Sequence, residues 1–476
     1  MTHVLLLTTE PLPFRGMITT GAGLRAWGLM AGLRSAGLEV TVAMPQEAVE
    51  GKSIHDEAFS PKKNLFQRHL LTEFVNTTGP DVIVFQHWGL MNHLKQAPCP
   101  VALDLAGPHL LERYYWSGIA SSPADPQKTF NMDFEKNLAE KLHALRLADF
   151  VTCSGKFQRF YFLPFLAMAG YPVNADTLPI IPFSIDPNPP AGRNNIQRDP
   201  ETFVYGGMFL PWQNPERQLN WLLETFDEVK RGKLLFFGGM HPTLDVSGGK
   251  FERLLKRLEG HSRVFMSGLI PFHELCEQYI HAGVALDLCD RNSERELAFT
   301  TRTIVYLWCG LPVIYNNYAE LSEYISASGA GWCLDPDDEK GFKDTVRNIL
   351  EGKANLEEKG ESALRLIRER FDWTKTIRPL ADFCSSPYYR KGKGGALLAF
   401  ENQSRHIDDL RRSLEETQRE LLTLKGNLWY RLYKKTGQLR PFLAPLVFLL
   451  SLPVCLFLLF AILVNDLFSS KKADRK

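Results

Sequence analysis

The sequence predicts an α/β protein built on two parallel, doubly wound sheets. Short apolar runs alternate with stretches of helical spacing, no hairpin signal joins them, and a proline-rich segment divides the series in two. A chain of 476 residues is too long for one hydrophobic core, and an apolar fraction of 45% is ordinary for a folded protein. We therefore expect two Rossmann-like domains, followed by further segments.

The first domain is predicted at residues 1–182. A strand at 4–7, a helix at 24–36 and a strand in LEVTVAM make a βαβ unit, and Gly37 ends the helix. Further strands are predicted in DVIVFQHW, CPVALDLAG and ADFVTCSG. Prolines and asparagines then predict a linker at 183–202.

The second domain is predicted at residues 203–372, because the same alternation begins again there. Its strands are expected in TFVYGGMF, KLLFFGGM, RVFMSGL, VALDLCD and LPVIYN. A helical stretch is predicted at 339–371. A terminal helix at 373–390 is expected to return to the first domain.

The pattern changes after residue 400. Apolar positions at 401–430 recur every three or four residues, which is typical of a short coiled coil or of an amphipathic helix. A coiled coil there would join copies of the chain. Residues 441–464 carry no charge and are long enough to span a hydrocarbon core of about 30 Å, although their prolines also permit a re-entrant hairpin. We expect a membrane segment there, no signal peptide, and domains on the cytoplasmic side of the inner membrane.

The composition argues against several classes of partner and cofactor. The chain has 55 basic and 54 acidic residues, so a nucleic-acid partner is not expected. Its eight cysteines form no CxxC pair, which favours free thiols over a disulfide framework or a zinc site. No acidic pair stands in a loop suited to a Mg²⁺–diphosphate complex, and we expect no metal or other cofactor.

Glycines follow predicted strands where a ligand could approach the backbone. Gly21, Ala22 and Gly23 open the first predicted helix, and a helix N-terminus attracts anions. Gly206 and Gly207 follow the first strand of the second domain. Tight packing is the alternative explanation for these glycines, so the motif alone does not establish a site.

The stretch ELAFTTRTIVYLWCGLPVI supplies groups suited to a diphosphate and a sugar. Thr300 and Thr301 are predicted to cap a helix whose N–H groups face an anion, and Arg302 adds a planar fork of charge. Glu296 is expected to accept hydrogen bonds from sugar hydroxyls.

Two histidines are candidates on the first domain. His87 and His109 each follow a predicted strand, at the edge where α/β sheets bind ligands, and Asp104 lies on the strand before His109. A structural role is the alternative for each of them.

Six stretches together resemble the GT-B glycosyltransferases, and more narrowly the retaining family numbered four, over about residues 1–390. They are TTGAGLRAW with GLEVTVAMP, DVIVFQHW, IIPFSID, YGGMFLPWQNP, RVFMSGLIPFHEL and ELAFTTRTIVYLWCGLPVI. The resemblance implies two domains facing across a cleft, a nucleotide-sugar donor, retention of anomeric configuration and a histidine near the donor sugar.

The resemblance has departures. Val305 stands where the family carries a glutamate, and Leu297 stands where it carries another, one residue from Glu296. Met208 and Gln213 are nearest to the places of a frequent basic pair.

We therefore predict a metal-independent, retaining glycosyltransferase that moves a sugar from a nucleotide-sugar to a lipid-linked or surface-polysaccharide acceptor. The catalytic candidates are His87, His109 and Glu296. One alternative is a catalytically degenerate GT-B membrane scaffold that acts through residues 401–430, and another is a GT-B sugar epimerase. A soluble sugar would need no membrane anchor, which favours the transferase over the epimerase.

Overall fold

A computed structural model describes residues 1–390, apart from 51–53, 55–58, 121–125, 175–176, 193–197 and 240–250. At 116–120 and 126–133 only the backbone is described. The predicted segments at 401–430 and 441–464 lie outside this range. Among the helices that the structure does describe, none combines the length and the apolar character needed to cross a membrane.

Two parallel sheets of six strands each form the framework of the described residues, which confirms the predicted α/β class. The first contains β1 His3–Leu7, β2 Glu39–Pro45, β3 Leu65–Phe66, β4 Val82–Phe85, β5 Val101–Leu105 and β6 Phe150–Cys153. The second contains β7 Asp199–Met208, β8 Lys233–Gly239, β9 Val264–Met266, β10 Ala282–Asp287, β11 Val313–Asn316 and β12 Gly331–Leu334.

The two sheets share one topology. The first runs β3-β2-β1-β4-β5-β6, and the second runs β12-β11-β10-β7-β8-β9, which is the same order read from the other edge. Each sheet therefore reverses its winding once, between β1 and β4 and between β7 and β10. Ligands of doubly wound sheets bind at the carboxyl ends of such strands.

The helices connect the strands and cover both faces of each sheet. Those of the first half are α1 Gly21–Ser35, α2 Pro61–Asn64, α3 Leu71–Thr78, α4 Trp88–Met91, α5 His109–Ala120, α6 Pro126–Leu147 and α7 Lys156–Met168. Those of the second half are α8 Glu216–Val229, α9 Glu252–Glu259, α10 Phe272–His281, α11 Ser293–Leu297, α12 Thr301–Trp308, α13 Glu320–Ser328, α14 Glu339–Leu350 and α15 Leu356–Arg370. The last two are α16 Trp373–Thr376 and α17 Arg378–Ser385.

Alternating strand residues supply the two cores of the first sheet. Leu5 and Leu7 pack on one face, while Val4 and Leu6 pack on the other, and all four are fully buried. A parallel sheet covered on both sides demands such continuous apolar strands. Helix α17 packs into the core that contains Val4 and Leu6.

Several elements differ from the sequence prediction. The stretch 339–371 is two helices rather than one, because Gly352 adopts φ +73° after α14 and ends it. Strand β7 begins at Asp199, inside the predicted linker. Strands β3 and β12 were not predicted, since two residues and a half-buried four-residue run give a weak periodic signal.

An aromatic cluster connects helix α1 of the first half to helices of the second half and to α16. The indole of Trp27 on α1 makes edge-to-face contacts with Phe272, Trp308 and Trp373, at centroid distances of 6.0, 6.2 and 5.0 Å. Such contacts bury large apolar area and fix the helices that carry them. Helix α1 is thereby held against α10, α12 and α16, with its N-terminus toward the cleft.

Candidate functional site

A cavity of about 670 Å³ lies between the carboxyl ends of the two sheets. Its walls come from the loops that follow β1, β4, β5 and β6 in the first half and β7, β9 and β10 in the second, and Phe237 of β8 contributes as well. Both winding-reversal points therefore open into one space. Each sheet brings its usual ligand-binding edge to the same cavity.

Two helix N-termini from different halves meet at this cavity. Helix α1 starts at Gly21 and α12 starts at Thr301, and a Cβ atom added to Gly21 would lie 3.2 Å from Oγ1 of Thr301. The first N–H groups of a helix have no partner within it, and the peptide dipoles place partial positive charge there. Thr20 satisfies one of these donors, because its hydroxyl accepts from the N–H of Gly23. Both helix ends line the cavity, where their partial positive charge favours an anion.

The guanidinium of Arg302 lies over the backbone of Gly207. Gly207 has φ +121°, and a Cβ atom there would lie 3.0 Å from Cζ of Arg302, so both conformation and space favour glycine. Arg302 donates to the side-chain oxygen of Gln213 and lies 3.8 Å from Asp287. Its Nη1 is buried and has no hydrogen-bond partner among the described residues. Arg302 lines the cavity, so a planar cation stands at the cavity wall.

Burial disfavours the charge of Arg302, but its neighbours reverse the effect. Tyr205 and Asp287 outweigh the loss of solvation and raise the pKa of the guanidinium above its ordinary value. Asp287 is itself held by the hydroxyl of Thr303, at 2.5 Å. Arg302 is therefore a permanent positive charge in a fixed position.

Gly206 and Thr300 line the cavity, and each also makes contacts within the fold. A Cβ atom on Gly206 would lie 1.8 Å from the hydroxyl of Tyr279, and the Gly206 N–H donates to Tyr306 at 2.8 Å. The hydroxyl of Thr300 pairs with that of Tyr315, at 2.7 Å, and does not cap α12. The prediction that the Thr300 side chain caps α12 is therefore wrong, because its hydroxyl is hydrogen-bonded to Tyr315 of β11 instead.

His87 and His109 come together at the first sheet's edge of the cavity. Their ring centroids are 4.6 Å apart. Nδ1 of His87 accepts from the N–H of Gly89, at 3.0 Å, which leaves the ring proton on Nε2. Burial, followed by the electrostatic effect of His109, lowers the pKa of His87 well below its ordinary value. His87 is therefore a neutral hydrogen-bond donor.

Glu112 orients His109 from one helical turn away. Its carboxylate lies 2.8 Å from Nδ1 of His109. Burial opposes the ionised form, but His109 and then Arg295 outweigh it and lower the pKa of Glu112. An ionised carboxylate that holds a histidine ring is a common arrangement for polar groups that contact a substrate.

Glu296 does not line the cavity, in contrast to its predicted role. Its side chain is 44% exposed and pairs with Arg291 at 2.7 Å. Glu294, two residues earlier, lines the cavity with Arg295 and is buried. Asn292 caps α11 through the N–H groups of Glu294 and Arg295, and this helical turn directs Glu296 to the surface.

Glu294 and Arg295 form a buried pair on the cavity wall. Nε of Arg295 donates to one carboxylate oxygen at 2.7 Å and Nη2 to the other at 3.1 Å. Burial raises the pKa of the Glu294 carboxyl above its ordinary value, although Arg295 opposes the shift. The sequence shows a run of charged residues after a strand at this place. Such a run does not predict which of its side chains point into the cavity.

Gly23 and Asp104 support the fold rather than the cavity surface. A Cβ atom on Gly23 would lie 2.0 Å from the carbonyl oxygen of Pro11. Asp104 is buried and accepts two hydrogen bonds from Arg25, at 2.9 and 2.8 Å, and one from Thr152. Arg25 also donates to the carbonyls of Pro182 and Ile181. This ion pair ties α1 to β5 and to the chain that leaves the first half.

Within the described residues, no group of three or more histidine, cysteine, aspartate or glutamate side chains is placed to hold a metal ion. The cysteines described there are free thiols, all of them buried except the half-buried Cys333. Val305 lines the cavity and is buried, so an apolar side chain occupies the wall where the resemblance placed a glutamate.

Solved structures with this architecture cover most of the chain. Sucrose-phosphate synthase from Thermosynechococcus elongatus is 17% identical, with a TM-score of 0.55 over 80% of this chain and 98% of that one. AviGT4, a glycosyltransferase involved in avilamycin A biosynthesis, is 16% identical, with a TM-score of 0.52 over 81% and 97%. An α-glucosyltransferase in complex with UDP is 12% identical, with a TM-score of 0.55 over 81% and 100%.

These likenesses show that the chain has the GT-B fold, two Rossmann-like domains with the cavity between them. No family model matches the sequence, and no curated protein is similar to it in sequence.

Proposed function

We propose that this chain, which has the GT-B fold, is a glycosyltransferase that uses a nucleotide-sugar donor. One observation carries the proposal: the N-termini of α1 and α12 meet at the cavity, beside Arg302 over Gly207. Two dipole ends and a fixed guanidinium together form a site for a diphosphate. A diphosphate is the part that all nucleotide-sugar donors share.

The same groups would assist the chemistry. Breaking a sugar–phosphate bond places negative charge on the leaving nucleotide diphosphate. In this proposal Arg302 and the helix ends, which line the cavity, would stabilise that charge from fixed positions. We therefore propose that this chain cleaves the sugar–phosphate bond without a metal ion.

Polar groups for the sugar come from both halves of the chain. Neutral His87 can donate from Nε2, and the His109–Glu112 pair offers a second oriented ring. Glu294 presents a carboxylate from the second half, in the role first assigned to Glu296. Hydroxyl groups of a sugar need such donors and acceptors on several sides.

Ribose recognition differs from the pattern of the resembled family. Val305 offers no hydrogen bond at the cavity wall. The donor's ribose would instead rely on backbone groups or on water. We expect this to lower the affinity for the nucleoside portion and to leave the diphosphate contacts dominant.

The acceptor and the cellular site are further parts of the proposal. A lipid-linked or surface-polysaccharide acceptor, entering from the first-domain side, fits the uncharged 441–464 segment, which would hold the enzyme at the cytoplasmic face of the inner membrane. Retention of configuration is proposed from the resemblance alone. Residues 401–430 would join copies of the chain as a coiled coil.

The test is calorimetric titration of the full chain in detergent with nucleoside diphosphates, nucleotide-sugars and the free nucleosides. Uridine compounds come first, because the α-glucosyltransferase of the same fold is complexed with UDP. We expect Arg302→Met to weaken diphosphate binding by about 10- to 100-fold, since it removes a charge-assisted hydrogen bond. Nucleoside binding should stay unchanged.

Arg291→Met is the matched control, because Arg291 is exposed and pairs with Glu296 away from the cavity. It should bind every ligand as the unsubstituted chain does. Failure of a well-folded chain to bind any nucleotide would contradict the proposal and favour the membrane scaffold. Equal losses in Arg302→Met and Arg291→Met would remove the assigned role of Arg302.

A further inference from the structure

The outward side of α7 is apolar along most of its length. Phe160, Leu163, Pro164, Ala167 and Met168 recur at helical spacing on one side, here called the α7 outer face. Phe160 is 70% exposed and Met168 40%, Pro164 and Ala167 are exposed, and Leu163 is half-buried. A helix on the surface of a globular protein normally presents polar side chains there. This face departs from that rule over two helical turns.

The inner side of α7 is fully occupied, so packing against the sheet does not explain the outer face. Phe162 and Leu166 are buried in the core of the first sheet. Val173, shortly beyond the end of the helix, is a further exposed apolar side chain, at 55% exposure. Exposed apolar surface of this kind marks an interaction site.

The described chain ends beside this face. The guanidinium of Arg390 donates to the carbonyl of Gly170, at 3.2 Å, and lies 3.7 Å from the ring centroid of Tyr171. Its backbone N–H donates to Asp149, at 2.7 Å. These contacts hold residue 390 at the C-terminal end of α7.

The residues that follow carry the chemistry of a membrane contact. Lys391 and Lys393 come directly after Arg390, and the uncharged run at 441–464 lies on the same chain. Cations next to apolar surface bind bilayers that contain anionic lipids. The described chain therefore ends near the C-terminal end of α7, and the sequence that follows has basic residues first and a bilayer-length apolar run later.

We propose that the α7 outer face contacts a lipid bilayer with anionic headgroups, as a second membrane contact beside the 441–464 segment. The face begins at Phe160, two residues after Gln158, which lines the cavity near the start of α7. Thirteen helical residues span about 20 Å, so the bilayer would lie within that distance of the cavity mouth. An acceptor anchored in lipid could then reach the site from the first-domain side.

A labelling experiment on the full chain tests the contact. Phe160→Cys is coupled to an environment-sensitive fluorophore and placed on vesicles of phosphatidylcholine and phosphatidylglycerol that carry acyl-chain quenchers. Phe265→Cys is the matched control, because Phe265 on β9 is also apolar and 52% exposed, but belongs to the second sheet. The unsubstituted chain, treated identically, corrects for the native thiols.

We expect lipid quenching at position 160 to exceed that at position 265 by at least about threefold, and to weaken when phosphatidylglycerol is omitted. Equal quenching at the two positions overturns the proposal. So does a label at 160 that is shielded before lipid is added, which would indicate that residues 401–430 cover the face. A signal that follows protein concentration rather than lipid would indicate a second copy and likewise overturn it.

Both substituted side chains are exposed, so we expect either variant to unfold at the temperature of the unsubstituted chain. The outcome is independent of donor binding, which is measured with Arg302→Met.

Discussion

Lys141 is a buried amine that has no hydrogen-bond partner among the described residues. Its side chain on α6 is 1% exposed, and its Nζ lies 4.9, 4.6 and 3.9 Å from the ring centroids of Tyr161, Phe162 and Phe165. Burial lowers the pKa of Lys141 to about 7, although Glu112 opposes the shift. Aromatic faces compensate only part of the lost hydration of an ammonium group.

The free-energy cost of burying the Lys141 ammonium follows from its lowered pKa. An ordinary lysine has a pKa of 10.5, and the lowering to about 7 is equivalent to about 4 to 5 kcal/mol between the two states of the chain. Between these pH values the unfolded chain binds more protons than the folded one, so stability rises with pH. Below about pH 7 both states are charged and the full cost applies. Above pH 10.5 both are neutral and it vanishes.

Lys141→Met keeps the length of the side chain and removes the charge. At pH 7 we expect it to stabilise the first domain by about 3 kcal/mol or more, which raises Tm by about 5 to 10 °C. The assay is thermal unfolding of the full chain in one detergent, from pH 6 to pH 10. The difference in Tm between the variant and the unsubstituted chain should stay constant up to about pH 7 and narrow as the pH rises above it.

Lys136→Met is the control, because Lys136 lies on the same helix, is 54% exposed and makes only a 3.9 Å contact with Glu140. It should follow the unsubstituted chain at every pH. A Tm difference for Lys141→Met that does not change with pH would refute the titration argument. A loss of stability in that variant would show that the aromatic contacts outweigh the burial cost.

Two further substitutions test the geometry of the cleft. Gly207→Ala places a side chain at φ +121° and 3.0 Å from Cζ of Arg302, so we expect about 1 to 3 kcal/mol of lost stability and about tenfold weaker diphosphate binding by calorimetry. Unchanged binding would indicate that no phosphate approaches this backbone. Asp104→Asn leaves the buried Arg25 without its counter-charge and should cost about 3 to 5 kcal/mol by thermal unfolding, with nucleotide affinity unchanged. Lost affinity at an unchanged Tm would instead make Asp104 a ligand contact.

Most of the fold could be predicted because its signals are local. The apolar runs that became β1, β4, β5, β7, β8, β10 and β11 are buried on both faces, and such runs are evident in the sequence. Helix α1 was predictable because glycine, threonine and helical spacing coincide at its start. Short or half-buried strands such as β3 and β12 carry too few residues for a periodic signal.

The sequence predicts where the site lies better than it predicts which side chains form it. Parallel strands present their carboxyl ends to one edge, so loops after strands reliably line the cavity, and Arg302, His87 and His109 are found there. Side-chain direction within a loop or a short helix depends on contacts distant in sequence. For this reason Glu294 and Glu296 could not be told apart.

The sequence by itself determined the α/β class, the two parallel sheets and the loops from which the site is built, because local propensity and burial encode them. Only the tertiary structure decided that Asp104 pairs with Arg25, that the first residues of α1 and α12 are in contact, and that one side of α7 is exposed. These features depend on which surfaces the packed domains bring together. A neighbour 79 residues away leaves no periodic trace in the local pattern.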